Sequence, residues 1–260
     1  MSTFLFDEII FGPVRSRRLG VSLGINLLPV DRKICTFNCI YCECGWTTRG
    51  DVKGEKLPSR KAVYKALETK LAEMKKKGKG PDVITYAGNG EPTMHPDFPG
   101  IIYDSIELRN KYFPDAKIAV LSNATGITKP EIREALLKAD QNILKLDSAF
   151  DETIRMHNQP KINIDAEELI ENLQKFNGKL IIQTLFLRGT YNGRKIDNTT
   201  PKEINAWLKA IERIRPAEVM IYTISRDTPE GGDLKKVPLA DLKQIASLVS
   251  KLGIKTQVSG

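Results

Sequence analysis

The sequence predicts an α/β fold, an open (β/α)6 barrel of the TIM type, with parallel strands inside and helices outside. Six short apolar runs each precede a helical pattern, in strict alternation along the chain. Strand–helix–strand connections are right-handed, so such a sheet curls; eight units would close a barrel and six leave it open. A length of 260 residues with 41% hydrophobic content suits one large domain. We therefore expect residues 1–260 to form a single domain with its core at about 11–226.

The first half of the chain carries three strand–helix units. The first helix is well delimited, because Ser59 is a good N-cap and Gly78 follows the last apolar turn. Thr128 and Glu131 have the spacing of a capping box and are predicted to open the third helix. The predicted strands are residues 21–28, 82–87 and 117–121, and the second helix is 98–112.

The second half of the chain repeats the pattern. Asp165 precedes the next helix as an N-cap, and Pro201 suits the first position of the one after it. Pro238 is predicted to begin the last helix. The predicted strands are residues 142–146, 179–187 and 218–224, with a final strand at 254–258. We expect residues 1–20 to be an entry segment and 227–260 to be a C-terminal helix and strand.

All four cysteines of the chain lie within ten residues. Cys35, Cys39 and Cys42 have the spacing C-x3-C-x2-C, and Cys44 follows two residues later. Thiols this close make a poor disulfide framework, because a disulfide needs Cα atoms held about 5.5 Å apart. They make a good metal loop, since thiolates are the soft ligands of iron–sulfur clusters and of zinc. Three thiolates on a four-iron cubane leave one iron open, as a catalytic metal site requires.

Two other interpretations of the cysteine loop stay open. A structural zinc site would use all four thiols, although such sites usually gather their ligands from two separated pairs. Cys39 and Cys42 also match the C-x-x-C pattern of a thiol–disulfide pair. Cys44 is a fourth thiol near a cluster, a substrate-side group or a bystander, and we leave it out of the predicted ligand set.

A glycine-rich motif, Gly88-Asn89-Gly90-Glu91-Pro92, follows the second predicted strand. Glycines let the backbone adopt positive φ and approach a ligand closely, and free carbonyls there can accept hydrogen bonds from an ammonium group. The alternative is a plain turn between strand and helix. The motif follows a strand C-terminus, as the cysteine loop does, and barrel enzymes carry their chemistry on that face. We therefore predict a ligand site.

Polar side chains also occur at the later strands. Ser122 and Asn123 end the third strand with short groups suited to a hydroxyl or a carboxylate. Lys145 and Asp147 alternate along the fourth strand, so both can face the barrel interior. A charged pair there is costly unless it is matched or bound to a ligand, and a structural ion pair is the alternative. Gln183, inside the fifth strand, completes the candidate set.

The cysteine loop, with Tyr41 just before its third cysteine, and the glycine motif together resemble the radical S-adenosylmethionine (SAM) superfamily. The resemblance implies a 4Fe–4S cluster on Cys35, Cys39 and Cys42, whose open iron chelates SAM. One electron then cleaves SAM to methionine and a 5′-deoxyadenosyl radical, which abstracts hydrogen from the substrate. It also implies that the G-N-G-E-P motif, G-G-E-P in the family, holds the amino group of SAM. The polar residues of the third and fourth strands would contact its carboxylate and ribose.

Three segments, F-G-P-V-R-S-R-R-L-G, E-C-G-W and A-G-N-G-E-P-T-M-H-P, resemble the wyosine-type tRNA-modifying enzymes of that superfamily. The archaeal wyosine enzymes have extra cysteines for a second cluster, and none precedes Cys35 here. A net charge of +8 and the arginines at 15, 17 and 18 favour an RNA substrate, and a polar loop at 188–198 lies on the predicted active rim. The alternatives are a protein, peptide or small-metabolite substrate, or a zinc-stabilised nucleic-acid-binding module without enzymatic activity.

The same composition bounds location and partners. No apolar run approaches the roughly 20 residues of a membrane span, and residues 1–8 show no secretion signal. We therefore expect a cytoplasmic protein with reduced thiols and no membrane partner. The basic surface favours an acidic electron donor, flavodoxin or ferredoxin. His95 is expected to be structural, and His157 is assigned no role.

Overall fold

The computed structural model describes residues 4–226, 228–229 and 232–260. It divides into two compact units: the N-terminal unit, residues 5–35 and 47–143, and the C-terminal unit, residue 4 with 36–46 and 144–260. The strands are β1 (Ile10–Ser16), β2 (Gly20–Ile25), β3 (Val83–Tyr86), β4 (Lys117–Ser122), β5 (Gln141–Lys145), β6 (Ile181–Leu185), β7 (Leu187–Tyr191), β8 (Arg194–Asp197), β9 (Glu218–Tyr222), β10 (Gly232–Lys236) and β11 (Lys255–Ser259). The α-helices are α1 (Arg60–Lys76), α2 (Phe98–Tyr112), α3 (Pro130–Lys138), α4 (Asp151–His157), α5 (Ala166–Gln174), α6 (Pro201–Ile214) and α7 (Leu239–Lys251).

The N-terminal unit contains four neighbouring strands, β1 to β4, in chain order. β2, β3 and β4 run parallel, with Ser22 opposite Val83 and Val83 opposite Lys117. The crossovers between them contain α1 and α2, which pack against each other. Leu23, Ile84 and Ile118 are fully buried, because helices cover a parallel sheet and its strands can be apolar throughout.

The C-terminal unit has a parallel sheet and a small antiparallel one. β9 lies between β6 and β11 in the parallel sheet, and β7 lies between β10 and β8 in the antiparallel sheet. Trp207 on α6 is buried, and its indole N–H donates to the Leu146 carbonyl (3.2 Å) and the Thr184 hydroxyl (3.1 Å). Its ring packs edge-on against Phe186 at 5.3 Å, which anchors α6 to the strands.

The predicted alternation of strands and helices is confirmed. Ser59, Asp165 and Thr200 all cap helices, each accepting a hydrogen bond from a backbone N–H of the first turn. None of the helices in the described ranges has the length and apolar character needed to cross a bilayer. The expected start of the C-terminal segment, residue 227, lies outside the described residues. The predicted strands correspond to β2, β3, β4, β5, β6, β9 and β11, and the predicted helices to α1, α2, α3, α5, α6 and α7.

Within the segment expected to be an entry segment, residues 10–16 form a strand, β1, that was not predicted. β1 pairs antiparallel with β2, so the strands are not all parallel. Pro13 interrupts the apolar pattern, but an edge strand accepts proline because its outward side needs no donor. The arginine-rich sequence therefore forms the end of β1 and its turn into β2.

The capping box at Thr128 is also wrong. Thr128 ends a 3-10 turn, Thr125–Thr128, and Lys129 is the N-cap of α3 without a side-chain cap. Pro130 causes this, because the residue before a proline is pushed into the extended region. Lys129 has φ −82° and ψ 121°, so the helix begins only at Pro130.

The polar loop expected at 188–198 is a β-hairpin, β7 and β8, extended by β10. Asn192 and Gly193 form its turn with φ values of 48° and 73°. An Asn-Gly pair between two strands favours a two-residue hairpin turn, because both positions tolerate positive φ. This dipeptide was the signal in the sequence that marked the hairpin. Helix α4 was not predicted either.

Candidate functional site

The backbone of the cysteine loop is held by hydrogen bonds within each unit. In the N-terminal unit, the Cys35 N–H donates to the Arg49 carbonyl at 3.2 Å. In the C-terminal unit, the N–H groups of Asn38 and Ile40 donate to the carbonyls of Asn158 (2.8 Å) and His157 (3.0 Å). None of the four cysteines forms a disulfide; Cys35 and Cys39 are buried, and Cys42 and Cys44 are half-buried. The backbone of the loop is therefore fixed in position, and its sulfurs stay in the reduced state that a metal ligand requires.

The glycine motif packs directly on the residue before Cys35. The Ile34 N–H donates to the Asn89 carbonyl (3.0 Å), and the Glu91 N–H donates to the Ile34 carbonyl (3.2 Å). Gly90 lies between these bonds with φ 140°, and a Cβ there would lie 1.7 Å from the Ile34 oxygen. Only glycine permits this approach, so the motif determines where the cysteine loop begins.

Asn89 has a structural role in the same motif. Its side chain is fully buried and bonds only backbone: its amide donates to Phe6 and Pro29 carbonyls (2.8 and 2.9 Å) and accepts from the Phe6 N–H (2.8 Å). Gly88 precedes it with φ 140°, against the Asn26 side chain. The residue that lengthens the motif therefore ties it to the N-terminal segment.

Glu91 links the glycine motif to the end of β4. Its buried carboxylate accepts from the Thr93 N–H (3.1 Å) and hydroxyl (2.6 Å), the Ser122 hydroxyl (2.8 Å) and the Asn123 N–H (2.6 Å). Burial raises the pKa of Glu91, and these hydrogen bonds oppose that rise. Asn123 in turn donates its side-chain N–H to the Cys35 sulfur at 3.5 Å, while its amide oxygen accepts from Thr125.

The C-terminal unit surrounds its cysteines with a charged network. Tyr41 donates its hydroxyl hydrogen to Asp147, and the Lys145 ammonium lies 3.0 Å from the Tyr41 oxygen and 3.4 Å from the Asp147 carboxylate. Burial and the Asp147 carboxylate raise the pKa of Tyr41 well above its usual value. Burial acts to lower the pKa of Lys145, but Asp147 and the Tyr222 hydroxyl outweigh it and raise that pKa. Lys145 is therefore a cation and Tyr41 a neutral phenol at neutral pH.

Asn158 joins this network to a cysteine. Its side-chain N–H group donates to the Tyr41 oxygen and the Asp147 carboxylate, both at 2.8 Å, and to the Cys39 sulfur at 3.5 Å. Asn158 is the C-cap of α4, and no motif in the sequence marks it. Gln183 is buried on β6, and its carbonyl accepts from the Leu146 N–H at 3.1 Å. The ion pair that was the structural alternative for Lys145 and Asp147 is present, with Tyr41 and Asn158 sharing the carboxylate.

The two histidines differ in their environments. His95 is structural as expected, since its ring nitrogens contact the Pro58 carbonyl (2.9 Å) and the Asp97 N–H (3.1 Å). His157 is fully buried, and neither ring nitrogen has a hydrogen-bond partner among the described residues. Burial lowers the pKa of His157 to about 4, so its ring is neutral at pH 7.

The donor set fits an iron–sulfur cluster. Cys35, Cys39 and Cys42 supply soft sulfur ligands, and two of these sulfurs receive amide N–H groups, which such clusters commonly use to adjust their reduction potential. Within the described ranges, no three His, Cys, Asp or Glu side chains gather closely enough to hold a single metal ion.

The sequence matches one protein-family model and several known proteins. The family model of the radical SAM superfamily matches residues 32–192, which include the cysteine loop and the glycine motif. A GTPase Obg of Brachyspira hyodysenteriae is 31% identical over 226 residues, 84% of this chain and 30% of that protein. UPF0026 protein MJ1312 of Methanocaldococcus jannaschii is 29% identical over 69% of this chain and 54% of its own length. UPF0026 protein slr1464 of Synechocystis sp. is 30% identical over 85% and 77%. The chain thus spans about a third to a half of the first two relatives.

Solved structures confirm the predicted fold class, a partial barrel. A radical SAM methyltransferase from Sphaerobacter thermophilus has a TM-score of 0.66 at 11% identity, over 92% of this chain and 65% of that one. An archaeal TYW1 has a TM-score of 0.52 at 15% identity, over 88% and 71%. At these identities the likeness concerns the fold alone.

Proposed function

The chain belongs to the radical SAM superfamily, and on that premise we propose that it cleaves SAM reductively to generate a radical that modifies RNA. The observation that supports this most is the cysteine loop: three thiols within eight residues, with amide N–H groups directed at Cys35 and Cys39. A 4Fe–4S cluster held by Cys35, Cys39 and Cys42 would supply the electron and bind SAM.

The chain's own residues would bind and orient SAM. Backbone carbonyls of Gly88 and Gly90 would accept from its amino group. Ser122 and Asn123, and Lys145 and Asp147, would bind its carboxylate and ribose, with Tyr41 and Gln183 completing the site. Tyr41 and Asn158 hold one oxygen of the Asp147 carboxylate. The other oxygen accepts a hydrogen bond from the Leu185 N–H at 3.0 Å. The Asp147 carboxylate in the C-terminal unit is therefore held in place by the chain's own groups.

RNA is the proposed substrate class because the chain has a net charge of +8. Phosphate contacts by lysine and arginine dominate nucleic-acid affinity. Part of that charge is concentrated at Arg15 in β1 and at Arg17 and Arg18 in the turn after it. An acidic flavodoxin or ferredoxin is the proposed electron donor.

Anaerobic purification tests the proposal. The protein should be brown, contain about four irons per chain, and produce 5′-deoxyadenosine from SAM with a reductant. Cys39→Ala should abolish the product, whereas the matched variant Cys44→Ala should retain it, because Cys44 lies outside the proposed ligand set. A colourless protein with one zinc would instead support the zinc-stabilised nucleic-acid-binding module.

A further inference from the structure

A cavity of about 480 Å³ lies within the C-terminal unit, apart from the residues assigned to SAM. Helix α4 contributes Glu152 and Arg155 to its wall, and the β7–β8 hairpin contributes Tyr191, Arg194 and Ile196. Its volume falls in the range of small-molecule sites, roughly 300–1,000 Å³. Nothing in the proposed function uses this cavity.

Two guanidinium groups from different elements line the cavity. Arg155 is 3.6 Å from Asp151 in an exposed pair one helical turn away, which holds it weakly. Arg194 forms no side-chain hydrogen bond or ion pair within the described part of the chain. Both arginines can therefore turn to a ligand, and a guanidinium binds phosphate or carboxylate through two parallel hydrogen bonds.

The rest of the wall suits a planar polar group. Tyr191 offers an aromatic face, and Trp46 lies beside it with ring centroids 6.2 Å apart. Ile196 is buried and gives the cavity an apolar wall, while Asn192 supplies a side-chain amide at the hairpin turn. Glu152 can only accept hydrogen bonds when ionised, so it suits an exocyclic amine or ring N–H.

We propose that this cavity is a subsite for one nucleotide, with Arg155 and Arg194 on the phosphate and Tyr191 stacked on the base. Arginines alone would suit any anion; an aromatic face and a hydrogen-bond acceptor beside them are the features that recognise an unpaired base. That the nucleotide is part of an RNA substrate rests on the proposed function. A subsite for one unpaired nucleotide requires the RNA to be single-stranded at this point.

Binding measurements on the anaerobically prepared holoprotein test this subsite. Fluorescence anisotropy of a labelled single-stranded RNA would be compared between wild type, Arg194→Gln, Arg155→Gln and Lys195→Gln. Each arginine variant should weaken binding about tenfold or more and reduce the slope of log K against log salt by about one. Lys195→Gln is the matched control. It removes one positive charge at the position next to Arg194, but the Lys195 side chain is not among the residues that line the cavity.

Equal weakening by Lys195→Gln and Arg194→Gln would overturn the subsite, since it would show general attraction to a basic surface. Tyr191→Leu should weaken binding while keeping the salt slope unchanged, and an unchanged affinity would contradict stacking. If no RNA binds but titration calorimetry shows that a nucleoside monophosphate binds, the cavity is supported and its ligand is a free nucleotide. Thermal unfolding of each variant controls for folding.

Failure of the subsite differs from failure of the proposed function. If the protein holds iron and yields 5′-deoxyadenosine, but the arginine variants bind RNA as wild type does, only the subsite is wrong. If the arginine variants lose RNA affinity but the wild-type protein forms no 5′-deoxyadenosine from SAM, the subsite stands and the radical chemistry is wrong.

Discussion

In each unit an asparagine side-chain N–H group points at a cysteine, but the surroundings of the two cysteines differ. Asn123 donates to Cys35 and Asn158 donates to Cys39, both at 3.5 Å. Around Cys35 the structure is mostly backbone, with Gly90 against Ile34. Around Cys39 the N–H groups of Asn38 and Ile40 also bond to backbone, but a buried side-chain network that includes the Lys145–Asp147 ion pair lies beside the thiol. The comparison teaches that one thiol is positioned by close backbone packing and the other by buried electrostatics, so different changes should break each.

The largest effect is expected at Gly90. Gly90→Ala would place a Cβ 1.7 Å from the Ile34 oxygen. Because that oxygen belongs to the backbone, the backbone must move to relieve the clash. We expect a loss of more than about 3 kcal/mol in the free energy of unfolding, measured by urea denaturation. Gly193→Ala is the control: φ is positive there too, but its Cβ meets nothing within 4 Å, so about 1 kcal/mol is expected. Similar losses for both would refute the packing argument.

Asp147→Ala should be nearly as damaging, through charge rather than packing. It removes the carboxylate shared by Lys145, Tyr41 and Asn158 and leaves a buried cation unpaired. A loss of about 3–5 kcal/mol is expected. Asp31→Ala is the control, since Asp31 is exposed and its partner Arg32 keeps Glu55; it should cost less than about 1 kcal/mol. If Asp147→Ala is as mild as Asp31→Ala, the network does not support the loop.

The histidines predict a pH dependence that comes mainly from the C-terminal unit. The pKa of His157 falls from 6.5 to about 4 on burial, so the unfolded chain binds this proton first as pH drops. Stability is therefore full above pH 6.5 and should decrease by about 3 kcal/mol towards pH 4.

Urea denaturation across this pH range measures the effect, and His157→Leu should remove most of it. Burial also lowers the pKa of His95, opposed by the Pro58 carbonyl, so that variant should keep a smaller dependence of the same sign. A pH dependence unchanged in His157→Leu would contradict the assignment.

The smallest effect should be on the proposed cluster. Hydrogen bonds to sulfur stabilise the more negative, reduced form, so removing them lowers the reduction potential. Asn123→Ala should lower it by roughly 50 mV, measured by redox titration with paramagnetic resonance. Asn158→Ala should lower it less, because its N–H group is shared among three acceptors. A larger shift for Asn158 would reverse the proposed contrast.

Hairpin β7–β8 and helix α4 show where sequence prediction stopped. The Asn-Gly turn was readable, but residues 188–198 are rich in polar residues, so charge concealed the strand pattern. Helix α4 has seven residues, too few for helical periodicity to stand out. Together these two elements form the cavity, which is why no pattern in the sequence indicated it.

By itself the sequence determined the alternating fold, the cysteine spacing and the glycine motif, because each depends on residue types at short, regular separations. Tertiary structure alone decided that Asn158 reaches Cys39 and that Tyr41 donates a hydrogen bond to Asp147, across 119 and 106 residues of chain. Hydrogen bonds act over about 3 Å, and separations of that length along the chain carry no periodic signal from which such contacts could be predicted.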